Sequence, residues 1–109
     1  MAVSEELRRQ VRAKLRVTWS DDVTDSLLDE VVIPNAMAAI RSKVGIPDSV
    51  EHDFAEPGGE NILLLAHCYY QWNDAEDDFD AHYAAEIAQA RAMWEVRQLA
   101  GGKEADADL

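Results

Sequence analysis

His67 and Cys68 stand side by side, and a thiol next to an imidazole is the pairing that a cysteine nucleophile requires. Adjacent residues on a helix point about 100° apart, however, so these two cannot bond side chain to side chain. Cys68 sits inside the apolar run NILLLAHCYYQWN and reads as a small buried hydrophobe in a reducing compartment; being the only cysteine, it forms no internal disulfide. His82 and Glu86 lie four apart, on one face of a helix, where they could clip a zinc ion. No second histidine or cysteine is close enough in sequence to complete a tetrahedral site, so a surface hydrogen bond is the expectation. Asp74, Glu76 and Asp78 alternate like the first ligands of a calcium loop, but its sixth position would be Phe79 instead of glycine and its twelfth Ala85 instead of glutamate. The turn and the bidentate ligand are both missing, which leaves a solvated acidic turn. His52 stands alone in a loop.

No glycine-rich phosphate cradle, nucleophile elbow or HExxH motif occurs. Carboxylates are abundant, but they fall in turns and tails, whereas an acid–base pair needs burial and convergence. The expectation is a protein that is not an enzyme, with no catalytic residue, no cofactor and no metal.

Charge says more. The net charge is −12, yet residues 1–19 hold Arg8, Arg9, Arg12, Lys14 and Arg16 against Glu5 and Glu6, a net +3, and the remainder carries −15. A molecule so acidic is a poor general binder of nucleic acid, because phosphate neutralisation by lysine and arginine supplies most of that affinity. The basic segment has two readings. It is the solvated face of an amphipathic helix, or Arg8, Arg9, Arg12 and Arg16 dock on an acidic surface of another copy or on phosphate.

The elements that must position these residues are all helical. At 109 residues the chain is long enough for one domain. Ser4 caps a first helix to about Leu15, with Val3, Leu7, Val11 and Leu15 on one stripe. Thr18–Asp22 starts a second helix with apolar positions Val23, Leu27, Leu28, Val31, Val32, Met37, Ile40 and Val44, which Pro34 kinks or splits near Ile33 and Gly45–Ile46–Pro47 ends. Residues 46–60 form a long loop of the kind that is functional, disordered or reaching for a partner. The third helix is apolar nearly all round, from Ile62 to Trp72, and needs cover on most faces. After the exposed acidic turn Asp74–Asp80, the fourth helix carries Phe79, Tyr83, Ile87, Ala90 and Trp94 inward. The fold class is therefore all-α, a small bundle of four main helices. Residues 1–100 form the domain and residues 101–109 a flexible acidic tail. No apolar run approaches the ~20 residues of a membrane span, and no secretory leader opens the chain.

The end of the fourth helix reads as a contact surface. Trp94, Arg97, Gln98 and Leu99 are placed for a neighbour, since aromatics and arginine most often anchor interfaces. Arg97 in a final helical turn is expected to add only about 0.3–1 kcal/mol to its own fold. A second reading has Trp94 completing the core and Arg97 solvated.

The order of these features resembles the small head–tail connector, or adaptor, proteins of long-tailed bacteriophages and their prophage relatives. The resemblance rests on the helix layout over residues 4–100, on Leu63, Leu64, Leu65, Ala66, His67, Tyr69 and Tyr70 in the third helix, and on the ending VRQLAG. Asn73–Asp74 replaces the arginine that many of those proteins have after the aromatic patch, and Pro34 is unusual. The resemblance implies a dodecameric ring at the neck of a virion. That ring would sit beneath the portal protein and carry a downstream neck or tail protein, with assembly in the host cytoplasm. It implies that Trp94, Arg97, Gln98, Leu99, Arg8 and Arg12 contact the portal or a neighbouring subunit. Glu76, Asp77, Asp78 and Asp80 are candidates for an acidic channel lining or an acidic outer surface, and DNA would pass through the channel without specific binding. The alternatives are an acidic DNA mimic that inhibits a DNA-binding protein, and a small regulatory DNA binder using the helix from Arg8 to Arg16.

Overall fold

The computed structural model describes the backbone of residues 3–107 and the side chains of residues 3–100. Among the described residues there is no strand. Helix α1 (Glu5–Leu15) begins where Ser4 accepts from the Leu7 amide at 3.1 Å, and it buries Leu7, Val11 and Leu15. It ends with Arg16 in the left-handed region, φ 60°, where the Arg16 and Val17 amides return to the Ala13 and Arg12 carbonyls. That double closure satisfies the last carbonyls and turns Val17 into the core.

The second helical segment neither splits nor simply kinks at Pro34. Helix α2 (Asp22–Leu27), capped by Asp21, runs into a π turn (Leu28–Val32) and then into α3 (Ile33–Val44). Proline lacks an N–H, and its ring collides with the carbonyl four residues back. Widening the turn just before Pro34, with the Ile33 amide reaching back to the Leu28 carbonyl, relieves that collision and keeps the helix going. Gly45, at φ 91°, closes α3 as expected.

Helix α4 (Gly59–Trp72) packs against α1 and α3, and α6 (Ala84–Ala107) against α3 and α4. The acidic turn is a short 3₁₀ turn (Glu76–Asp78) followed by a four-residue helix α5 (Phe79–His82), so the expected fourth helix is interrupted at Tyr83. Its inward stripe survives the break: Phe79, Ala90 and Trp94 are buried, and Tyr83 and Ile87 pack on the core. The backbone of α6 stays helical to Ala107, past Gly101 where an irregular tail was expected. The side chains of that expected tail, and residues 108–109, lie outside the described residues.

The loop between α3 and α4 is tied to the body: Phe54 and Ala55 are buried, and Asn61 donates to the Phe54 carbonyl at 2.7 Å. Gln10 donates to the Ala55 carbonyl at 2.9 Å, and Arg41 to the Pro47 and Val50 carbonyls, each at 2.8 Å. Side chains thus supply the partners that a loop's backbone lacks. Helix α4 buries Leu63, Leu64, Ala66 and Cys68 and packs Leu65, Tyr70 and Trp72 on the core, and leaves Ile62 and Tyr69 exposed.

Candidate assembly surfaces

The residues placed for a neighbour divide into two groups. Trp94, Gln98 and Leu99 line one open notch of about 460 Å³ with Gly45 and Pro47. Its position follows from local structure: the glycine cap that ends α3 turns the chain beneath α6, and Trp94 and Gln98, four apart, share one face of that helix, with Leu99 at its edge. Trp94 forms the buried floor, 9% exposed, while Leu99 stands 68% exposed at the rim.

Arg97 points elsewhere. It forms an ion pair with Glu60, whose side chain is 8% exposed in the first turn of α4. Its guanidinium also lies 5.4 Å from the centre of the Trp94 ring. The expectation that Arg97 contributes little to its own fold took no account of this partner: the arginine faces a buried carboxylate. His52, which the sequence leaves isolated, belongs to the same cluster. Its Nε2 is 3.7 Å from Glu60 Oε1, and its ring packs against Phe54 and Trp94 with centroids 4.5 and 5.9 Å away. Burial pushes the His52 imidazole below its usual value, with Glu60 opposing and Arg41 and Arg97 adding to the shift. The neutral ring leaves Nδ1 buried without a hydrogen-bond partner. Sequence reasoning missed Glu60 and His52; a glutamate after two glycines carries no mark of burial.

Arg8 and Arg12 are also engaged within the chain. Arg8 Nε meets Asp29 at 2.8 Å and Arg12 meets Asp25 at 2.8 Å, so these two arginines bind α1 to α2 and the π turn. Ser20 and Arg12, in that order, hold the Asp25 carboxyl below the usual carboxylate range. Glu76, Asp77 and Asp78 are exposed on the 3₁₀ turn and Asp80 on α5, where it pairs with Lys43 at 2.6 Å.

An apolar row appears where burial was expected. Val23, Leu27 and Val31 recur every fourth residue and are 79%, 42% and 45% exposed, and Leu27 and Val31 line a depression together with Val32 and Trp72. Leu28, Val32, Met37, Ile40 and Val44 from the same run are buried. The periodicity identified all of these as apolar faces but not which face the core would take. Met93 and Val96 on α6 are exposed as well.

The catalytic pairings considered from the sequence do not come together. Cys68 is buried, and burial pushes its thiol up to about 12, far from the thiolate a nucleophile needs. His67 Nδ1 instead faces Gln71 Nε2 at 3.0 Å, and His82 Nδ1 meets the Tyr70 hydroxyl at 2.7 Å, not Glu86. Among the described residues no group of three or more His, Cys, Asp or Glu side chains is placed to hold a metal ion, and no helix is long and apolar enough to cross a membrane. No protein-family model matches the chain, and no curated protein or solved structure matches it at a significant level.

Proposed function

We propose that this chain is a structural assembly protein of a bacteriophage neck, copies of which form a ring at the head–tail junction, extend the portal channel and present a platform for the next component. The observation that carries this reading is the presence of two unlike apolar surfaces on one small chain. The row Val23, Leu27 and Val31 lies on the second helical segment, and the notch of Trp94, Gln98 and Leu99 lies beside α6. Exposed apolar rows on a small protein mark contact sites. Two dissimilar surfaces suit unlike contacts, one to the next copy in a ring and one to a different neck protein, whereas a twofold dimer needs only one self-complementary patch. The net charge of −12 suits a conduit that DNA must traverse without being gripped. The order of features in the sequence, which resembles that of connector proteins, agrees with the same reading.

The regulatory DNA-binding alternative loses ground because Arg8 and Arg12 are committed to Asp29 and Asp25. Light scattering on a sizing column, with electron microscopy of stained particles, tests the proposal. The wild-type chain is expected to form closed rings. Leu27→Glu with Val31→Glu is expected to give folded monomers, and Leu99→Glu to form rings that no longer attach to portal particles. A wild-type chain that stays monomeric at every concentration refutes the reading.

A further inference from the structure

We infer that neighbouring copies are joined by a charged contact in which Lys14 and Arg16 of one chain receive the acidic turn Glu76–Asp78 of the next. The inference rests on the ring reading above and assigns the residues that would hold such a ring together.

The argument starts from the partners of each cation among the described residues. Arg8, Arg12, Lys43 and Arg97 meet Asp29, Asp25, Asp80 and Glu60, and Arg9 meets Glu6. Arg41 and Arg91 reach backbone carbonyls. Lys14 and Arg16 remain. Lys14 Nζ lies 5.8 Å from the centre of the Tyr69 ring and meets no carboxylate, and Arg16 has no side-chain partner. Arg91 meets no carboxylate either, so what sets Lys14 and Arg16 apart is that, in a protein with more than twice as many acids as bases, they line the same groove.

That groove lies where the C-terminal ends of α1 and α4 come together, and Tyr69, Trp72 and Asn73 form its other wall. Helix C-termini carry partial negative charge and would oppose an anion. Here both ends are closed. The Arg16 and Val17 amides cap α1, while the Asn73, Asp74 and Ala75 amides cap α4 by reaching the Tyr69, Gln71 and Tyr70 carbonyls. With those carbonyls occupied, two full side-chain charges above aromatic walls set the sign of the groove.

The complementary surface is on the same end of the molecule. Glu76, Asp77 and Asp78 are exposed on the 3₁₀ turn, and no cation among the described residues meets them. The turn leaves the groove's rim at Asn73 but cannot fold back into it. Asp74 takes the left-handed conformation, φ 54°, and sends the chain toward α5, where Phe79 anchors it in the core. Basic groove and acidic turn thus both lie beside the C-terminal end of α4, each without a charged counterpart among the described residues. Copies related by rotation about a ring axis bring such surfaces together, the groove of one facing the turn of the next.

The test reverses charge on each side and mixes the products. Lys14→Glu with Arg16→Glu breaks the groove; Glu76→Lys, Asp77→Lys and Asp78→Lys break the turn. All five positions are exposed, so circular dichroism and thermal unfolding should match wild type. Sedimentation velocity is expected to show each reversed chain as a monomer and their equimolar mixture assembling again with the two chains alternating, because the intact groove meets the intact turn and the reversed groove meets the reversed turn. A chain carrying all five reversals is expected to assemble again. If either reversed chain assembles like wild type, or the mixture stays monomeric while wild type forms rings, the contact is refuted and the ring reading stands. A wild type that stops at a dimer, split by each reversal, supports the contact and removes the ring. A wild type that is monomeric throughout refutes both.

Discussion

Replacing Arg97 by alanine tests whether the end of α6 is held by charge. The guanidinium meets a Glu60 carboxylate whose side chain is 8% exposed, while the arginine side chain itself is 52% exposed. Removing one partner of a fully buried pair costs about 3–5 kcal/mol, because the remaining charge is stranded away from water. Here water enters through the half that Arg97 leaves open, and His52 at 3.7 Å offers a weak substitute. Loss of a charged hydrogen bond of about 1.5–3 kcal/mol is the better guide, and a value near 2 kcal/mol follows. For a domain of this length that is a fall in melting temperature of about 8 °C, at about 4 °C per kcal/mol. Glu60→Gln should cost about 1 kcal/mol or less, since the freed arginine is able to swing into solvent and no buried charge remains. The asymmetry is the diagnostic. Urea unfolding of both single variants and of the double variant measures it, and hydrogen exchange should show the amides after Trp94 losing protection in Arg97→Ala. Equal costs for the two single variants, or an Arg97→Ala loss below about 0.5 kcal/mol, would refute the claim that the fold depends on this pair.

Two further outcomes are expected. His52 and His67 are both held below the usual imidazole value of 6.5, chiefly by burial, so the unfolded chain takes up protons before the folded one does. Their contribution to stability is present above that value and is lost as pH falls through the lower folded values; urea midpoints should decline below about pH 6.5, and His52→Gln with His67→Gln should flatten the decline. Asp74 occupies a left-handed position that glycine adopts without steric cost, so Asp74→Gly should stabilise by about 0.5–1 kcal/mol in thermal unfolding, and a loss of stability would show that the cap geometry is not as described.

The all-helical architecture was legible because its signals are local. Ser4, Asp21 and Gly45 sit where caps are needed, and Leu7, Val11 and Leu15 recur at the period of a helix. What could not be read required knowing which surfaces meet. Val23 and Leu28 look alike in a hydrophobic pattern, yet one is 79% exposed and the other fully buried, because only the face turned toward α4 finds cover. Pro34 signalled a disruption, but not that one wide turn would absorb it. The candidate contact residues show the same division. Leu99 was legible as an apolar residue in a frayed final turn, and it is exposed. Arg97 occupies an equally local setting and is nonetheless committed, because its partner Glu60 lies 37 residues away. Ion pairs between distant segments leave no period and no spacing rule, so charge patterning alone treats every arginine as free. In a chain with 22 acids and 10 bases, most cations find an acid within reach, and the informative ones are those the fold leaves without one. Lys14 and Arg16 meet that condition and Arg8 and Arg12 do not, although all four stand together in the same basic segment.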